Sequence, residues 1–116
     1  EYNLKKKVIL VGAVNNVEDY MQAMDCFILP SLFEGFGIVL LEAQAAGLKC
    51  FASKYVVPRE TNVTGNVTFL DLKDGPECWA ECILGEEIKR YDAMQKLKQS
   101  PYEIQNTVKL IEKIFK

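Results

Sequence analysis

Apolar residues along this chain come in two rhythms. "KKVILVG" (Lys6 to Gly12), "CFILP" (Cys26 to Pro30), "KCFASKY" (Lys49 to Tyr55) and "NVTFLDL" (Asn66 to Leu72) are short, nearly continuous runs closed by glycine, proline or polar residues. That is the pattern of buried strands. Between them, "NNVEDYMQAMD" sets Val17, Tyr20, Met21 and Met24 at helical spacing behind Asn15 or Asn16 as a cap. "GIVLLEAQAAG" reads as a helix that stops at Gly47. Strand and helix alternate with short connections, which predicts an α/β fold: a parallel sheet covered by helices on both faces.

After Leu72 the rhythm is helical. "GPECWAECILGEEIKRYDAMQKLK" starts with Pro76 in a first turn and is open to a break at Gly85. "SPYEIQNTVKLIEKIFK" predicts a last amphipathic helix with Val108, Ile111, Ile114 and Phe115 as its stripe. There are no repeats and no low-complexity linker, so residues 1–116 are expected to form one domain.

Composition narrows the function classes. A net charge of −2 argues against a nucleic-acid surface, and the one basic run, Lys5 to Lys7, reads as a solvated lead-in to a strand. No run is long enough to cross a membrane, and no leader pattern opens the chain, so it is expected to be cytoplasmic. In that setting the Asn-x-Thr sequons at Asn62 and Asn66 carry no meaning. The four cysteines, Cys26, Cys50, Cys78 and Cys82, contain no C-x2-C pair and the chain has no His, so reduced thiols are expected and no metal.

In a parallel sheet ligands bind beyond the carboxyl ends of the strands, which directs attention to "VGAVNN" and "PSLFEGFG". Gly35 and Gly37 flank Phe36 just ahead of a helix and let the backbone approach a ligand. The first amides of that helix lack intrahelical partners and lie at the positive end of its dipole, a site suited to a diphosphate. Glu34 precedes the helix and Glu42 lies about a turn inside it, roughly 7 to 10 Å apart along the axis. That spacing is too long for two acids sharing a proton and suits two carboxylates that hold different hydroxyls of one elongated ligand. A helix cap at Glu34 and a solvated Glu42 fit the spacing equally well.

The stretch "AMDCFILPSLFEGFGIVLLEAQAAGLKCFAS", Ala23 to Ser53, resembles the nucleotide-sugar-binding region of family 4 retaining glycosyltransferases. It matches the family's Pro-Ser, Glu-Gly-Phe-Gly, Glu-Ala and Ala-Ser positions without a gap. "VILVGAVNNVEDYM" is similar to the preceding strand, loop and helix of the family, while in "VVPRETN" Arg59 separates the Pro58 and Glu60 that the family places together. The resemblance implies a Rossmann-like domain, the C-terminal half of a two-domain GT-B enzyme whose N-terminal domain is not in this sequence. It assigns Glu34 the catalytic place against the donor sugar, and gives donor binding to Val14, Glu34, Gly35, Phe36, Gly37, Ile38, Val39 and Glu42. Within that set Val14 would meet the nucleobase, the amides of Phe36 to Val39 the sugar and diphosphate, and Glu42 the ribose.

The function so implied is transfer of a hexosyl group from a nucleotide sugar, UDP-linked by family prevalence, to a glycan or lipid-linked acceptor in polysaccharide biosynthesis. No cofactor or metal is implied; the whole enzyme is expected to be cytoplasmic, with peripheral association at the inner face of the membrane left open. The family's diphosphate-binding Arg and Lys and its acceptor-side His fall upstream of Glu1, so this chain alone is expected to be inactive. The reading set against it is a noncatalytic nucleotide-binding or interaction domain on the same scaffold.

Overall fold

In the computed structural model, residues 4–103 and 105 are described. Three parallel strands, β1 (Cys26–Leu29), β2 (Lys49–Ser53) and β3 (Val67–Leu70), lie in the order β1-β2-β3. Their register aligns Phe27 with Cys50 and Val67, Ile28 with Phe51 and Thr68, and Leu29 with Ala52 and Phe69. Because side chains alternate along a strand, the first and third of these rows share a face.

That face meets α1 (Val17–Ala23) and α2 (Ile38–Ala45). Met21, Leu40, Ala43, Leu48, Cys50 and Ala52 form its core, with Phe27, Leu29 and Phe69 packed against them. On the opposite face Phe51 is fully buried, and α3 (Gly75–Gly85) brings Trp79 over the sheet beside Ile28. Trp79 Nε1 donates to Asp71 O at 2.8 Å, which gives its ring a fixed polar anchor. Helices thus cover both faces, as the alternating pattern predicts.

Two expectations change. Residues 6–12, read as the first strand, form none: Ile9 is 85% and Leu10 93% exposed. Lys7 and Val8 donate their amides to Leu4 O in a turn, and no described strand pairs with the run. Apolar β-branched residues make a strand only where a ladder partner satisfies the backbone. Past Gly85 the chain leaves the helix, as the glycine suggests, and becomes helical again only at α4 (Met94–Gln99). The amphipathic stripe Val108, Ile111, Ile114 and Phe115 lies outside the described residues.

Candidate functional site

The loop from Pro30 to Gly37 joins the carboxyl end of β1 to α2, where the topology places a ligand site. Gly37 stands at the helix N-cap with φ of 79°, a left-handed conformation that glycine adopts at little cost. No side chain caps the helix, so Glu34 does not, and the first amides of α2 keep no side-chain partner. The half-buried Glu34 instead accepts a hydrogen bond from Ser31 Oγ at 3.4 Å. Leu32 and Phe33 beside it are 87% and 90% exposed. Gly35 is exposed, Phe36 and Val39 half-buried, and Ile38 65% exposed.

Glu42, one turn along, points away from the core. It stands on a ridge between two grooves. One, about 340 Å³, runs between α1 and α2 and is lined by Val17, Glu18 and Gln22 on one wall and Glu42, Ala45 and Ala46 on the other. Its volume is within the range of small-molecule clefts. The other, about 460 Å³, separates α2 from α4 and includes Leu41, Met94, Leu97 and Tyr102. Glu34 lines neither groove, and Val14, half-buried in the loop before α1, is not on the walls of the first.

What fixes α2 is a residue that the sequence pattern does not mark as functional. Gln44 lies two positions after Glu42, about 200° around the helix, and is completely buried. Its Nε2 donates to Leu40 O at 3.0 Å and Thr61 O at 2.7 Å, and its Oε1 accepts from Thr64 N and Oγ1. A buried amide with all its hydrogen bonds met fixes the helix in rotation, and so sets the direction in which Glu42 projects. Its only trace in the sequence is a polar residue within the apolar tail "EAQAAG". Arg90, which donates to Ala46 O just past the C-terminal end of α2, and Tyr102, whose ring meets Phe36 ahead of its N-terminal end, leave no trace there either.

Comparison with known proteins now decides the family. Residues 1–81 match the model of the glycosyl transferases group 1. The chain belongs to this family. Among its relatives, the "Putative glycosyltransferase EpsF" of Bacillus subtilis is 34% identical over 112 residues, covering 93% of this chain and 29% of that protein. An Escherichia coli protein named UDP-Gal:alpha-D-GlcNAc-diphosphoundecaprenol alpha-1,3-galactosyltransferase is 41% identical over 66 residues, 57% of this chain and 15% of that one. The capsular polysaccharide biosynthesis glycosyltransferase CapH of Staphylococcus aureus is 30% identical over 83 residues, 72% of this chain and 23% of that protein. This group 1 domain therefore spans less than a third of the length of these relatives. No solved structure matches the chain significantly. Among the described residues no helix is long and apolar enough to cross a membrane.

Proposed function

We propose that this domain binds the nucleotide-sugar donor of a larger two-domain retaining glycosyltransferase. The single observation that supports this most is the uncapped N-terminus of α2 behind Gly37, with Glu34 just before it and Glu42 one turn beyond, facing a groove. The diphosphate lies against the first amides of α2, where peptide dipoles and free N–H groups stabilise negative charge and hold the departing nucleoside diphosphate. Glu42 accepts the two ribose hydroxyls, and the base extends along the α1–α2 groove toward the Val14 loop. Glu34, Gly35 and Phe36 face the sugar, with Glu34 accepting from its hydroxyls at the reacting end.

The donor is a UDP-hexose, and no metal or other cofactor takes part. The acceptor is a glycan or lipid-linked glycan bound mainly outside this domain, with the enzyme cytoplasmic and peripheral at the membrane. Support for that acceptor class comes from the diphosphoundecaprenol named in the Escherichia coli relative and the capsular polysaccharide named in the Staphylococcus relative. A transfer assay on the intact protein with UDP-hexoses, read by NMR of the anomeric proton, tests the reading. The expected product keeps the donor's anomeric configuration and forms undiminished in the presence of EDTA. An inverted product, or activity lost to EDTA and restored by a divalent cation, would contradict it.

A further inference from the structure

Residues 86–103 add no strand to the sheet, which they touch through the Glu86–Lys49 ion pair at 3.5 Å, and they run along α2 from its C-terminal to its N-terminal end. At the first end stands Arg90. Its Nη1 donates to Ala46 O at 2.6 Å, and its Nη2 shares two protons among Met21 O at 2.8 Å, Met24 O at 2.8 Å and Gln22 O at 2.5 Å. Met21 and Gln22 lie in the last turn of α1, and Met24 and Ala46 are the C-cap residues of α1 and α2, where the dipole is negative and carbonyls lack their full intrahelical partners; Met21 O also accepts from Met24 N–H at 3.4 Å. Neither helix carries a basic residue in its own last turn. One guanidinium therefore closes both helices and ties them together, and these two helices are the walls of the Glu42 groove.

The segment then docks backbone to backbone. Tyr91 N donates to Gly47 O at 3.3 Å, and Tyr91 Oη to Thr64 Oγ1 at 2.7 Å. Lys96 Nζ donates to Thr64 O at 2.7 Å. At the far end the ring of Tyr102 meets Phe36 edge-on, with centroids 5.0 Å apart and planes at 65°. Phe36 sits between the two glycines of the loop that carries Glu34.

We infer that residues 86–103 form a strap that positions the two ends of the donor site separately. Arg90 sets the spacing of α1 and α2 and so acts on the nucleoside end. Tyr102 holds the Phe36 loop and so acts on the sugar end. Neither touches the donor; both are positioning residues. The inference rests on the donor-binding reading above.

The test measures dissociation constants in the intact protein by calorimetry, at a temperature where circular dichroism shows every variant folded. The probes are the tightest-binding of UDP, ADP and GDP, and its glucose conjugate. Arg90→Ala is expected to weaken both ligands by the same factor, roughly two- to thirtyfold, the range for residues that act on a site from outside it. Tyr102→Ala is expected to weaken the sugar conjugate about two- to tenfold, the worth of an aromatic edge contact, and to leave the diphosphate unchanged; Tyr102→Phe restores the conjugate. Should either alanine variant fail to fold, Arg90→Lys and Tyr102→Leu carry the test with the same expected directions.

Constants that stay the same while the melting temperature falls would show a strap of purely structural value and overturn the inference, as would a Tyr102 effect of equal size on both ligands. Glu42→Ala separates the two levels. If it leaves the diphosphate constant unchanged, the donor reading falls and the strap inference with it; if it weakens binding and the strap variants do not, only the strap inference falls.

Discussion

Thr64 donates both its backbone N–H and its hydroxyl to Oε1 of Gln44, at 3.2 and 2.9 Å. Through this pair the loop before β3 grips the inner side of α2, while the opposite side of the same helix presents Glu42. The function proposed for an exposed carboxylate thus depends on a buried amide. Gln44→Leu keeps the volume and strands Thr64 N–H without a partner, while Thr61 O keeps only the Val63 N–H at 3.0 Å. It is expected to destabilise the fold by about 2 to 3 kcal/mol, seen as a lower urea midpoint with unchanged slope.

Two glycines with nearly the same backbone angle should respond differently to a methyl group. Gly47 has φ of 77°, and a Cβ there would fall 2.5 Å from the Tyr91 carbonyl oxygen, which is backbone and cannot swing aside. Gly12 has φ of 75° and nothing within 4 Å. Gly12→Ala should therefore cost about 1 kcal/mol, the strain of the left-handed region alone. Gly47→Ala should cost about 2 kcal/mol or more, because the strap must move as well. Thermal denaturation of the two variants side by side checks the ranking.

Alkaline pH should weaken the fold through Cys50. Burial in the sheet, reinforced by Cys26 and opposed by Lys49, pushes its thiol up from 9.0 to about 12. The folded chain then holds this proton more tightly than the unfolded chain. Its stabilising contribution is complete below about pH 9 and is lost progressively toward pH 12. Burial raises Tyr91 as well, so it contributes in the same direction above pH 10. In urea titrations at stepped pH, Cys50→Ala should flatten the first part of the decline; an unaltered slope would remove Cys50 from the account.

The elements that the sequence revealed are those decided locally. Gly37 at the cap, the apolar runs of β1 to β3 and the helix up to Gly47 each carry their signal within a few residues. Residues 6–12 have the composition of a strand and do not form one, because pairing is a property of two segments and composition of one. Arg90 was illegible for a related reason. Its four acceptors lie 44 to 69 residues away in the chain, and nothing beside it in sequence records them. The spacing of Glu34 and Glu42 is legible in the sequence, and the folded chain adds where each stands: Glu42 over a groove, and Glu34 in the loop before α2, outside that groove.

The most direct measurement is therefore a comparison of two ligands against two carboxylates in the intact protein, by calorimetry with UDP and a UDP-hexose. Loss of a hydrogen bond to a charged group corresponds to roughly a tenfold to hundredfold loss of affinity. Glu42→Ala should weaken UDP and the UDP-hexose alike by that order, because the ribose is common to both. Glu34→Ala should weaken the UDP-hexose and leave UDP unchanged. Equal effects of both substitutions on both ligands, or none, would contradict a donor site with its nucleoside at Glu42 and its sugar at Glu34.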